Sequence, residues 1–305
     1  MATKTEMTVG RTKLMVSNLE KVLYPKVGFT KGNVIDYYIR VSEELLPHLK
    51  NRPITLKRYP DGVEGFVFYE KQCPSHRPEW IKTTTVPRGR GGEIHYSVMN
   101  DLPALGWAAK LEDLELHTFL HKAPAITRPT AIAFDLDPGP PADIVLCCQV
   151  GLWVKGLFDG LGLKSFPKTS GSKGLQVYVP LNTPVTYDQT KQFARTVAEV
   201  LERQFPDVVV SKMLKSLRVG KVLVDWSQND EHKTTVNVYS LRAKERPTVS
   251  TPVTWDEVET TLKKKKAELL VFDSEEVLKR IEKFGDLFAP VLQLKQKLPP
   301  IKALG

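Results

Sequence analysis

The stretch Ala131-Ile-Ala-Phe-Asp-Leu-Asp-Pro-Gly139 constrains the fold more than any other, being apolar enough for burial yet carrying two carboxylates. Read as a strand, it sends successive side chains to opposite faces, so Asp135 and Asp137 share one side and Leu136 takes the other. Pro138 and Gly139 end it and leave both carboxylates at its rim. Around it the pattern alternates: a helix over 142–161, a strand over 174–180, a helix over 186–204 and a strand over 221–226. That order predicts a mixed α/β core with helices packed on a central sheet.

The flanking regions are less regular. From Thr30 the apolar positions Val34, Tyr37, Tyr38, Val41 and Leu45 recur at helical spacing, with Pro47 near the end. Strands are expected over 53–59 and 66–69, joined by a turn at Asp61-Gly62, and a basic, glycine-containing loop over 82–93. A helix over 102–110 and a strand over 114–120 follow. The C-terminal region reads as helical, with segments at 255–262 and 274–283 around the Lys263–Lys266 run, taken as a solvated helix face; 293–305 reads as a frayed tail.

Composition narrows the class further. The chain has 305 residues and a net charge of +9, which favours a polyanionic partner because neutralised phosphates release counterions. No apolar run approaches a membrane span and the first residues are polar, so a cytoplasmic location is the default expectation. Cys73, Cys147 and Cys148 form no disulfide framework, and without a C-x-x-C a structural zinc site is not expected. Cys147 and Cys148 read as buried free thiols.

Two carboxylates this close repel unless a cation sits between them, and oxygen-only ligands suit magnesium or manganese. Asp225, ending the apolar strand Lys221-Val-Leu-Val-Asp-Trp226, would complete a two-metal site if its strand is adjacent. The alternative stays open: Asp135 and Asp137 cap a strand end, and Asp225 bonds a nearby turn. The segment Lys168-Thr-Ser-Gly-Ser-Lys-Gly174 has a phosphate loop's composition but not the Walker A order. Gly171 and Gly174 permit a tight turn whose amides converge on an anion, Ser170 or Ser172 offers a hydroxyl, and Lys173 a charge. An ordinary hairpin turn fits equally. Arg218 and Arg242 are basic candidates near the Asp225 strand, each also suited to a structural ion pair, and His117 suits a core or rim position.

Taken in order, these pieces resemble the polymerase domain of bacterial ligase D, within the archaeo-eukaryotic primase superfamily. The markers are Asn18-Leu-Glu-Lys-Val-Leu-Tyr-Pro25, Gly28-Phe-Thr-Lys31, Phe68-Tyr-Glu-Lys71, Leu116-His-Thr-Phe119, Phe134-Asp-Leu-Asp-Pro-Gly139, Thr169-Ser-Gly-Ser-Lys-Gly174, Val224-Asp-Trp-Ser-Gln228 and Arg242-Ala-Lys-Glu-Arg-Pro247, followed by Thr251-Pro-Val-Thr-Trp255. The resemblance spans about 16–288. It implies a primase-polymerase fold, with a mixed or antiparallel central sheet flanked by helices, forming one domain over 1–290 with a tail over 291–305. Within it the N-terminal part, about 1–120, would contact 5′-phosphate and template, about 121–250 would form the catalytic core, and about 251–290 a helical part.

The implied activity is template-directed nucleotide addition in non-homologous end joining, with two manganese or magnesium ions and a preference for ribonucleotides. Asp135, Asp137 and Asp225 match the metal-binding carboxylates. His117, Ser170, Ser172, Lys173, Gln176 and Arg242 match the nucleotide site, with Lys57 and Arg218 as accessories. Asn18, Lys21 and Lys31 match a 5′-phosphate pocket, Phe68 and Tyr69 stack on template bases, and the 82–93 loop matches one that brings ends together. Implied partners are gapped or broken duplex DNA with a 5′-phosphate, nucleoside triphosphates, Ku and an ATP-dependent ligase, with no membrane. One departure stands out: family members commonly carry histidine where this chain has Gln176, which donates a hydrogen bond but carries no proton or charge. That predicts slower or differently pH-dependent chemistry. No ligase or nuclease segment is visible, so either a stand-alone polymerase or an excised domain is expected. The rival readings are a catalytically weak end-bridging module and a metal-dependent phosphodiesterase.

Overall fold

The computed structural model describes residues 4–88 and 91–304. Its chain divides into two compact units, each interrupted in sequence. One comprises Met1–Pro124, Thr234–Ser250 and Asp273–Gly285; the other Ala125–Lys233, Thr251–Phe272 and Asp286–Gly305.

The second unit is built on a five-stranded sheet in the order Phe166–Thr169, Leu175–Pro180, Ala131–Pro138, Val222–Asp225 and Val209–Val210. Its pairs are antiparallel except the last, which is parallel. Ile132, Phe134, Leu136, Leu175, Val177, Val179, Val222 and Val224 all enter one core cluster with Cys147, Val154, Phe158, Phe193 and Val197 from the helices Ile144–Gly160 and Tyr187–Gln204. One sheet face is therefore sealed by helices, and the alternate residues, Asp135 and Asp137 among them, project from the other. Both helices start at side-chain caps, Asp143 on the Val145 amide and Thr186 in a capping box with Gln189. Cys147 and Cys148 are buried free thiols in this core.

The first unit holds a six-stranded antiparallel sheet. Its path runs Thr235–Val236, Asp113–Thr118, Pro53–Arg58, Glu93–Val98 and Lys82–Pro87, and Phe68–Glu70 pairs with the outer half of Pro53–Arg58. The helices Lys31–Arg40, Ser42–Leu49 and Leu102–Lys110 accompany it, and the Tyr37 and Tyr38 hydroxyls donate to the carbonyls of Tyr239 and Leu114.

Several expectations need correction. The single helix from Thr30 is two, broken at Val41. The 66–69 strand begins only at Phe68. The expected mixed α/β architecture is present, with a five-stranded sheet in one unit and a six-stranded sheet in the other. Over 82–93 there is no long loop: Lys82–Pro87 is a strand paired with Glu93–Val98, because Thr83, Thr84, Thr85 and Val86 are β-branched and outweigh the glycine content that suggested a loop. Gly89 and Arg90 of that stretch lie outside the described residues. The lysine run leaves its helix at Lys265, which adopts a left-handed conformation. The described residues of the tail, up to Leu304, are not frayed. Gln296 donates to the carbonyls of Pro180 and Lys164 and accepts from the Lys164 amide, and Leu298, Ile301 and Leu304 pack on the core. No described helix is long and apolar enough to cross a membrane.

Candidate active site

The antiparallel register sets the carboxylates. Asp135 lies opposite Gln176 on one neighbouring strand and opposite Asp225 on the other, and Gln176 in turn lies opposite Lys168. Four side chains thus form a row across the sheet, Lys168–Gln176–Asp135–Asp225, on the face away from the helices, with Asp137 two residues further along. The two motif glycines make this rim possible. A Cβ on Gly174 would sit 2.2 Å from the Leu136 carbonyl oxygen, and one on Gly139 1.8 Å from that of Arg218, far inside contact distance.

Charge in this row is unbalanced. Burial first, and then the neighbouring Asp137, push the Asp135 carboxyl up to about 7, against the smaller opposing effects of a hydrogen bond from Gln176 and the charge of Lys168. Asp135 Oδ1 is buried with no hydrogen-bond partner. Lys168 is completely buried, donates to Gln176 Oε1 at 2.5 Å and lies 5.6 Å from the Tyr178 ring centroid. Sequence reasoning passed over Lys168 because nothing local marks it as buried. Gln176 is also buried, its amide committed between Lys168 and Asp135.

Asp225 is engaged differently. Its Oδ1 accepts from the Ser227 amide at 2.8 Å and the Ser227 hydroxyl at 2.6 Å, and its Oδ2 from Gln228 Nε2 at 3.3 Å. This carboxylate closes the turn after its own strand, while its backbone stays directly opposite Asp135. Among the described residues no three His, Cys, Asp or Glu side chains stand in metal-holding geometry. The donor set nonetheless fits a hard divalent ion: it offers only oxygens, two of its carboxylates share a face beside a third, and one buried oxygen is unsatisfied.

The Ser170–Gly174 turn folds on itself. Ser170 Oγ accepts from the amides of Ser172 and Gly174, and Gly171 takes positive φ. Ser172 and Lys173 are exposed, whereas Ser170 is buried. Arg218 donates to the Met213 carbonyl, and the backbone beside it is stitched to the strand rim by the Gly139 amide on the Lys221 carbonyl and the Gly220 amide on the Gly139 carbonyl.

In the first unit, Lys57, His117 and Arg242 converge on one buried carboxylate, Glu115, which sequence reasoning also missed. Tyr69 joins them, its ring 5.4 Å from Lys57 Nζ and 5.9 Å from the His117 ring. Phe68, next along the strand, faces the other way and stacks with Phe66 under Arg58. The two aromatics are thus separated rather than side by side. Asn18, Lys21 and Lys31 are brought together by backbone bonds from the Lys21 amide to the Asn18 carbonyl and from the Lys31 amide to the Lys21 carbonyl. Lys31 is buried against Glu112 at 2.6 Å, and Lys21 donates to the Pro60 carbonyl.

A sheet rim bearing carboxylates, with a serine-lysine turn on the neighbouring strand, suits metal-assisted phosphoryl chemistry. Comparison with known proteins is specific. The family model for the LigD primase-polymerase domain matches residues 30–288. The multifunctional non-homologous end joining protein LigD of Mycolicibacterium smegmatis is 40% identical over 285 residues, covering 92% of this chain, and the bifunctional protein LigD of Bacillus subtilis is 34% identical over 274 residues, covering 90%. The chain spans only 36% and 43% of these relatives' own lengths. The polymerase domain from Mycobacterium tuberculosis Ligase D, solved in complex with DNA, superposes with a TM-score of 0.86 at 39% identity, covering 93% of this chain and 99% of that one. This chain belongs to the LigD primase-polymerase domain family.

Proposed function

We propose that this chain is a template-directed polymerase that adds nucleotides, preferentially ribonucleotides, to 3′ ends at gaps and double-strand breaks during non-homologous end joining, and that it does so with two divalent ions, manganese or magnesium. The observation that carries this reading is the row Lys168–Gln176–Asp135–Asp225 with Asp137 beside it, in a chain of this family.

When bound, the ions would activate the primer 3′-hydroxyl and stabilise the leaving pyrophosphate. Asp135 and Asp137 would hold them, and Asp225 would join after exchanging its Ser227 and Gln228 contacts. Gln176 orients the Asp135 carboxylate, and Lys168 offsets part of its charge. Lys57, His117 and Arg242 would grip the triphosphate, assisted by Ser170, Ser172, Lys173 and Arg218. Gln176 is reassigned from phosphate contact to carboxylate support, since its amide is already spent.

Duplex DNA as partner is supported by the net charge of +9 and by the DNA complex of the M. tuberculosis relative. Asn18, Lys21 and Lys31 would recognise a 5′-phosphate, and exposed Tyr69 and half-buried Phe68 would meet the template. The chain is proposed to act as a single polymerase domain in the cytoplasm. Ku and an ATP-dependent ligase are proposed as further partners, in keeping with the end-joining names of the relatives.

The test is extension of a gapped, 5′-phosphorylated duplex with manganese, comparing ribo- and deoxyribonucleotides. The wild type is expected to extend, and the double variant Asp135→Ala, Asp137→Ala to lose extension while still binding the DNA. Unchanged extension in that variant sinks the assignment. Substrate shortening without nucleotides would point to a phosphodiesterase instead.

A further inference from the structure

Glu115 receives more donors than any sequence motif suggested. It sits on the strand Asp113–Thr118, opposite Lys57, which is itself opposite Tyr69; His117 shares the same face two residues along. Its two oxygens are used differently. Oε1 accepts from the Tyr59 hydroxyl at 3.1 Å and the Ala243 amide at 3.1 Å, both neutral. Oε2 gathers Lys57 Nζ at 3.3 Å, His117 Nε2 at 3.0 Å and Arg242 Nε at 3.3 Å. One oxygen is anchored and the other collects the basic groups.

Exposure has the matching gradient. The Glu115 side chain is 1% exposed, whereas Lys57, His117 and Arg242 are 17%, 13% and 15% exposed. The carboxylate forms a floor, and the three basic groups on it are each partly exposed. Burial alone would raise the Glu115 pKa, but the His117 hydrogen bond and the Arg242, His117 and Lys57 charges reverse this and hold it well below the usual carboxylate range. Burial lowers the His117 pKa, with Glu115 opposing and Arg242 and Lys57 reinforcing, and the ring Nε2 lies 3.0 Å from Glu115 Oε2.

We propose that Glu115 is a positioning residue that fixes Lys57, His117 and Arg242 as one preformed grip for the triphosphate of the incoming nucleotide. It rests on the polymerase reading above, and adds to it a fourth residue that never touches the nucleotide. Three long or rotatable basic side chains otherwise lose their conformational freedom at the moment of binding; a shared carboxylate spends that freedom during folding. It also suppresses the repulsion between Lys57 and Arg242.

The alternative role for a buried carboxylate here, simple neutralisation, makes the opposite prediction. Glu115→Gln keeps the shape and removes one negative charge beneath the cations. If Glu115 only neutralises, the variant attracts a triphosphate more strongly. If it positions, the variant binds more weakly despite its higher positive charge, by about tenfold, the scale of one charge-assisted hydrogen bond.

The experiment measures binding of a fluorescent ATP analogue to the 305-residue chain, with KM and kcat for extension alongside. Glu115→Gln is expected to raise the dissociation constant and KM about tenfold and to move kcat much less, and Glu115→Asp to recover part of the loss. Equal or tighter binding by Glu115→Gln overturns the proposal. Should that variant fail to fold, nitrogen-15 spectra of the wild type still decide: His117 is expected as the Nε2-protonated tautomer, and the Nδ1-protonated form refutes the contact. A wild type that binds no ATP analogue and extends nothing overturns the polymerase reading and this inference with it; one that extends while Glu115→Gln binds normally overturns the inference alone.

Discussion

Asp135→Asn is the perturbation whose consequences the structure fixes most closely. The carboxyl is pushed from 3.8 to about 7 by burial and by Asp137. An acid whose folded pKa lies above its unfolded value stabilises the fold fully below the unfolded pKa, here below pH 3.8, and that contribution is lost as pH rises through about 7. The difference corresponds to at most about 4 kcal/mol, reduced by whatever water relaxes around the charge. Asparagine preserves the shape and never ionises. In urea unfolding with a chelator, the variant and wild type should be similar near pH 4, and the variant should be the more stable by a few kcal/mol at pH 8 (order of magnitude from the same linkage). Adding manganese at pH 8 should restore the wild type by about 2.7 kcal/mol at a hundredfold excess over its dissociation constant, and leave the variant nearly unchanged. A variant no more stable than wild type at pH 8 in chelator would refute the argument that burial and Asp137 hold this carboxyl above its usual range.

Three further outcomes follow from the same geometry. Lys168→Met removes the buried ammonium that supports Gln176 and opposes Asp135 protonation; the pH midpoint of manganese-dependent extension should rise, and a pH–rate profile unchanged from wild type would show Lys168 to be mere filling. Gly174→Ala should lower stability by more than about 3 kcal/mol, because its Cβ meets the Leu136 carbonyl at 2.2 Å, whereas Gly156→Ala, helical with nothing within 4 Å, should raise it by about 0.5–1 kcal/mol in the same thermal or urea assay. Lys31→Ala leaves the half-buried Glu112 unpaired, so about 1–3 kcal/mol should be lost and largely regained in the double variant with Glu112→Gln; only that double variant gives a clean reading of whether a 5′-phosphate still tightens DNA binding.

What the sequence made legible was whatever depends on neighbours a few residues apart. Asp135 and Asp137 on one face follow from strand alternation, and the helices near 142–161 and 186–204 follow from the alternation of segments around them. Even the Asp225 turn was readable as an open alternative, because Ser227 lies two residues on and supplies both the amide and the hydroxyl. Register was not readable. That Asp225 stands opposite Asp135 joins positions 90 apart, and the burial of Lys168 depends on its pairing with Gln176 across a separate hairpin. Glu115 was missed for the same reason: apart from His117 on its own strand, its partners come from the 53–58 strand, the loop after it and the segment at 242–243. The hairpin at 82–98 was lost because glycine and arginine content was weighed above four consecutive β-branched residues.

The basic centre of the first unit separates the rival readings by itself. There one carboxylate holds a lysine and an arginine besides a histidine, each partly exposed, an arrangement that suits an anionic ligand carrying more charge than a diester. A phosphodiesterase acting on an internal diester would use carboxylates and have little need of a grip floored by Glu115, so this centre favours nucleotide addition over hydrolysis.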